Sequence, residues 1–119
     1  MITKRIVVKT QFEALHCWDT IPKDHPSWYL KNPHRHIFHI ELHLAVAQND
    51  REKEFIYYKH QVDDFLNNYF FKDPKYGIMT IETRSCEHLA ELLAVEFNAN
   101  WVQVLEDGEM GAIVEWKEN

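Results

Sequence analysis

Glycine and proline are scarce in this chain of 119 residues, at three and four, which leaves no room for a long flexible linker. Two cysteines, Cys17 and Cys86, do not make a disulfide framework. No apolar run approaches the roughly 18 residues a spanning helix needs. The opening Met1-Ile2-Thr3-Lys4-Arg5 is not followed by the apolar core of a signal peptide. These absences set the expectation of a cytoplasmic protein with no membrane partner. Positive charge is short as well: 13 Lys and Arg against 19 Asp and Glu give a formal charge of −6. With no basic cluster to offset that balance, nucleic acid is not an expected partner. What is plentiful is core material, 45% hydrophobic and 13% aromatic, enough for one folded domain over residues 1–119.

The most informative stretch is Pro33-His34-Arg35-His36-Ile37-Phe38-His39-Ile40-Glu41-Leu42-His43-Leu44. Apolar and polar residues alternate at period two, the pattern of a half-buried strand. Phe38, Ile40, Leu42 and Leu44 share one face, and His34 and His36 carry the same parity. Two imidazoles two residues apart on the covered side of a strand can ligate one metal. In a chain with eight histidines such a pair also arises by chance, as ordinary strand-end residues, so a third ligand is needed. Residues 2–15 alternate too, with Ile2, Ile6, Val8, Phe12 and Ala14 on one side, and an unbroken strand places His16 with them. Cys17 then faces away. Three neutral imidazoles on neighbouring strands leave a fourth zinc position for water or substrate, the catalytic rather than the structural arrangement. His39 and His43 read as the opposite strand face, and His25, His60 and His88 as loop or helix surface.

In chain order, a first strand over residues 2–16 leads to an irregular segment, Trp18 to Pro33, whose length beside the histidines makes it a candidate substrate loop. A second strand over 34–47 turns at Gln48-Asn49-Asp50-Arg51 and returns as a third, Lys53 to Tyr58, in an antiparallel hairpin. Val62, Phe65, Leu66 and Tyr69 then repeat at helical spacing, predicting a helix over 59–71. Asp73-Pro74-Lys75-Tyr76-Gly77 breaks it before a short extended piece, Ile78 to Ile81. Ser85 is a natural N-cap for a second helix over 86–98, with Glu87 in its first turn and Leu89, Leu92, Leu93 and Phe97 as its buried stripe. Strands over 101–105 and 112–116 follow, joined through Asp107-Gly108. The expected order is ββ(hairpin)-α-α-β-β, an α+β domain with two helices on one face of an antiparallel sheet.

With these residues, the order resembles the 6-pyruvoyl-tetrahydropterin synthase family, which includes the 6-carboxy-tetrahydropterin synthases of the queuosine and 7-deazaguanine pathway. Phe12-Glu13-Ala14-Leu15-His16 is similar to the family's Phe-x-Ala-x-His, and His34-Arg35-His36 to its His-Gly-His-Asn-Tyr. Ser85-Cys86-Glu87-His88-Leu89-Ala90 is similar to Pro-Thr-x-Glu-Asn-Leu-Ala, and Val102-Gln103-Val104-Leu105-Glu106 to Val-x-Val-x-Glu-Thr. The likeness spans almost the whole chain. It implies a tunnelling fold, in which subunits join through their sheets into a trimer or hexamer. It implies zinc on His16, His34 and His36. It implies a zinc-dependent lyase acting on 7,8-dihydroneopterin triphosphate or a related dihydropterin, the ring edge held by Glu106. A carboxylate accepts two N–H bonds from a 2-aminopyrimidinone edge at once, as pterins and guanines present it.

The chain also departs from the family. Where the family has a cysteine before the His-x-His pair, this chain has Tyr29-Leu30-Lys31-Asn32. No histidine stands in Asn67-Asn68-Tyr69-Phe70-Phe71-Lys72-Asp73, where the family's Leu-Asp-His would fall. Arg35 replaces the glycine between the two metal histidines, and Tyr57-Tyr58 stands where the family has Asp-Phe. The remaining candidates for proton transfer are Cys17, Asp24, His25, Glu87 and His88. Without such a group, the alternative is a pterin- or purine-binding protein of the same fold that lacks the chemistry.

Overall fold

Alternation in two long segments builds the centre of the sheet. In the computed structural model, which describes residues 1–117, β1 (Lys4–His16) and β2 (His34–Val46) pair antiparallel without a bulge, from Lys4 opposite Val46 to His16 opposite His34. β5 (Trp101–Glu106) pairs antiparallel with β2, and β6 (Met110–Glu115) with β5. Two short strands complete the sheet: β3 (Phe71–Lys72) and β4 (Met79–Thr80), in the order β3-β4-β1-β2-β5-β6. The sheet is therefore six-stranded and mixed, because β4 runs parallel to β1, touching it at Leu15 opposite Thr80. That corrects the expectation of a fully antiparallel five-stranded sheet.

Helices α1 (Phe55–Tyr69) and α2 (Cys86–Phe97) cover one face of it. Val8, Phe12, Phe38, Ile40, Leu42, Leu44, Val102 and Val104 meet Val62, Leu66, Leu89 and Leu93 in one core. Each such side chain contributes on the order of 1.5–3 kcal/mol when taken fully from water. Phe65 and Phe97 bring the two helices together, ring centroids 5.7 Å apart. Tyr69, part of the helical repeat read from the sequence, is half exposed.

The predicted third strand, Lys53 to Tyr58, is instead the start of α1, so the Gln48–Arg51 turn does not close a hairpin. The cause is Glu54. Its carboxylate accepts the N–H groups of Ile56 and Tyr57 at 3.0 and 2.7 Å, capping the helix. Those bonds hold its pKa below the usual carboxylate range. Phe55, Ile56 and Tyr57 gave the β-like reading, yet all three are exposed and pair with nothing in the sheet.

The second helix starts where expected. Ser85 Oγ accepts the His88 N–H at 3.2 Å while His88 Nδ1 accepts the Ser85 N–H at 3.2 Å, a reciprocal cap. No helix in the described residues is long and apolar enough to cross a membrane.

Candidate metal centre

Strand parity and register bring three histidines to one end of the sheet, on the face the helices cover. His16 lies opposite His34, and His36 lies opposite Ala14, so the rings form a triangle with centroids 4.5, 5.1 and 5.3 Å apart. One ring nitrogen from each lies within 4.8 Å of the others, and the cluster could hold a metal ion. Glu106, the last residue of β5, stands opposite Phe38 on the adjacent strand and extends its carboxylate to the same place.

The outer nitrogen of each ring is already engaged. Nδ1 of His16 donates to the carbonyl of Arg84 at 2.9 Å, and Nδ1 of His34 to the carbonyl of Asn32 at 2.8 Å. Nδ1 of His36 donates to Asp107 Oδ2 at 2.7 Å. Carbonyl and carboxylate oxygens only accept, so in each neutral ring the proton sits on Nδ1 and the Nε2 lone pair is free. This is how outer partners orient imidazoles for a metal. His16 is 8% exposed, and burial pushes its pKa down, against the raising influence of the Arg84 carbonyl and Glu106. Its Nε2 is buried without a hydrogen-bond partner: with the proton on Nδ1 it has none to give to Glu106 Oε2, 3.0 Å away. An orphaned buried acceptor facing two others suits a cation at the centre.

Asp107 was read from sequence only as a turn residue. With φ of 54° it takes the left-handed conformation that Asp tolerates, and Gly108 follows at 74°. The turn points Asp107 back at β2, where Oδ1 accepts the Ile37 N–H at 3.0 Å and its own N–H donates to the Ile37 carbonyl at 2.8 Å. The bond from His36, then that from Ile37, hold its carboxyl below the ordinary range. Asp107→Ala is expected to weaken metal binding by about 10- to 100-fold while the protein stays folded. Competition titration against a chelator measures this, and wild-type affinity in the variant would remove Asp107 from the site.

None of the five proton-transfer candidates is bonded to the cluster. Cys17, Asp24, His25, Glu87 and His88 share no hydrogen bond or ion pair with the three imidazoles among the described residues. Asp24 and Glu87 are exposed. His25 accepts the Ser27 N–H at 2.9 Å and packs edge-on against Trp18, while His88 is committed to the α2 cap. Burial and Asp19 raise the pKa of Cys17. A second cysteine, Cys86, sits buried in the first turn of α2 with its thiol pushed up to about 12, by burial first and then by Glu106 and Glu87. It is a neutral thiol, neither nucleophile nor ready metal ligand.

No family model matches this chain, and no curated protein matches it.

Proposed function

We propose that the protein is a zinc-dependent pterin lyase of the 6-pyruvoyl- or 6-carboxy-tetrahydropterin synthase type, built on a tunnelling fold. The observation that carries this reading is the convergence of three Nε2 lone pairs, on His16, His34 and His36, with Glu106 beside them. His16, His34 and His36 would hold zinc, which when bound would supply a Lewis acid for a side-chain hydroxyl or carbonyl of the substrate. Glu106 receives the 2-aminopyrimidinone edge, its two oxygens accepting two N–H groups. Asp107 and the carbonyls of Arg84 and Asn32 keep the imidazoles in register as charge shifts.

Assembly completes the reading. Among the described residues, β1 is paired on its outer side only at Leu15, and β6 is the opposite edge of the sheet. Edge strands of this length need cover. A groove of about 1080 Å³ runs past Thr10, Phe12, Asp63, Leu66 and Met79 at β1 and on to His39, Glu41 and Gln103 of β2 and β5, and takes in none of the three histidines. Pairing β1 of one copy with β6 of the next closes a ring and roofs this groove, as a trimer or stacked hexamer.

The absence of any bond from the proton-transfer candidates to the cluster, among the described residues, favours a second reading, a pterin- or purine-binding protein without turnover. Incubation of the zinc-loaded protein with 7,8-dihydroneopterin triphosphate separates the two. Turnover to a tetrahydropterin, lost in Cys17→Ala, Asp24→Asn or His25→Ala, is the expected result for the lyase. Saturable binding with no product over hours leaves the binder, and absence of binding ends both. Light scattering is expected to show a trimer or larger; a stable monomer at micromolar concentration would count against the ring.

A further inference from the structure

We propose that Thr80 is a positioning residue of the metal centre: through the turn over residues 81–84, its hydroxyl fixes the ring and the proton of His16. This rests on the metal reading above and names what holds one ligand in place before any ion arrives.

His16 differs from the other two imidazoles. His34 and His36 are part-exposed, whereas His16 is buried at the last position of β1. The chain leaving β4 grips that end of β1 at three consecutive residues. The Leu15 carbonyl accepts the Ile81 N–H at 2.9 Å and the Thr80 hydroxyl at 3.3 Å. The Cys17 N–H donates to the Glu82 carbonyl at 3.0 Å. Between them, the His16 ring donates its Nδ1 proton to the Arg84 carbonyl at 2.9 Å. Arg84 stands one residue ahead of the Ser85 cap, so its carbonyl lies outside the α2 ladder and is free for the ring.

The turn needs outside support to keep this shape. The Ile81 carbonyl accepts the Arg84 N–H at 3.2 Å, but Glu82 within the turn has φ of 61°. Residues with a side chain enter that region at a steric cost, and they stay there only where surrounding bonds over-determine them. Thr80 supplies such a bond. Its hydroxyl, on a residue 8% exposed, accepts the Glu82 N–H at 2.9 Å. Among the described residues that N–H has no other acceptor. Valine would suit β4 equally in shape and strand preference, so the hydroxyl acts in the turn rather than in the strand. Without it a part-buried donor loses its partner, the turn relaxes, and the Arg84 carbonyl leaves the ring. The ring proton can then move to Nε2 and occupy the lone pair that a metal needs.

Nitrogen-15 spectra of histidine-labelled, metal-free protein read each ring's tautomer at a pH where the rings are neutral. Wild type is expected to show His16 in the Nδ1–H form. Thr80→Val, of equal size, is expected to show Nε2–H signal at His16 while His34 and His36 keep their wild-type pattern. Its zinc affinity in chelator competition is expected to fall about 10-fold, the lower end for loss of an outer partner. Thr80→Ser is expected to restore both tautomer and affinity. A merely structural threonine would affect stability and leave the tautomer alone, so a wild-type His16 spectrum in folded Thr80→Val would overturn the proposal. If the valine variant does not fold, the serine variant carries the test. Retention of the Nδ1–H form there supports the hydroxyl, and its loss would assign the effect to the methyl group and overturn the proposal. Failure of wild type to bind zinc, with the His16 tautomer still dependent on Thr80, would instead remove the metal reading and leave the turn's hold on His16 standing.

Discussion

Replacing His34 or His36 with alanine is expected to yield a folded protein that retains no metal through dialysis, where wild type keeps about one ion per chain. Removing one of three imidazoles leaves two, and the loss should exceed the 10- to 100-fold typical of removing a partner that merely orients a ligand. These two positions are the clean ones. Both rings are part-exposed at the sheet end, so truncation opens no core cavity. His16 is different: it is 8% exposed and its Nδ1 ties β1 to the Arg84 carbonyl, so His16→Ala also disturbs packing ahead of α2. The controls are His39→Ala and His43→Ala. Both sit on the other sheet face, where His43 stacks on Trp101 with centroids 4.2 Å apart and bonds Glu41 at 2.7 Å. Elemental analysis of the five proteins decides the matter. Wild-type metal content in His34→Ala and His36→Ala, or loss in the two controls, would sink the centre.

Why the three histidines could be found at all is a matter of period. A strand's side chains alternate by geometry alone, so Phe38 and Leu42 betray the face that His34 and His36 share. The register that sets His16 opposite His34 was harder to see, because an irregular segment separates the strands; it follows from both strands keeping the same apolar face inward. Local signals failed where two of them competed. Phe55-Ile56-Tyr57-Tyr58 has strand-forming residues, but the Glu54 carboxylate satisfies two amide groups there, and a helix results. The β4 contact with β1 is a single parallel pair that depends on where α1 ends, which no period of residues 78–81 encodes. Asp107 was hidden for another reason. An Asp-Gly turn explains itself locally, and nothing in the sequence says that its carboxylate reaches His36, 71 positions back.

Phe38→Ala is expected to be the most damaging core substitution, costing about 3–5 kcal/mol of stability and weakening the metal centre with it. Phe38 is 0% exposed, and its backbone lies opposite Phe12 on β1 and Glu106 on β5, at the middle of the three strands that carry the site. Its ring meets His16 edge-on at 5.2 Å and His36 at 5.9 Å, so it is the floor on which two ligands rest. An alanine there leaves a void that a close-packed interior fills only in part, and the two imidazoles gain room to leave their Nδ1 partners. Urea unfolding with chelator and then with saturating zinc separates the two effects. An ion that binds only the folded state adds about 2.7 kcal/mol at a hundredfold excess over its dissociation constant. Wild type should show that increment in full. Phe38→Ala should show a lowered midpoint in chelator and a smaller increment with zinc, and Phe38→Leu, which refills most of the volume, should recover much of both. A Phe38→Ala protein destabilised in chelator but with the full zinc increment would mean the ring supports the core alone, and that the histidines hold their geometry through Arg84, Asn32 and Asp107 without it.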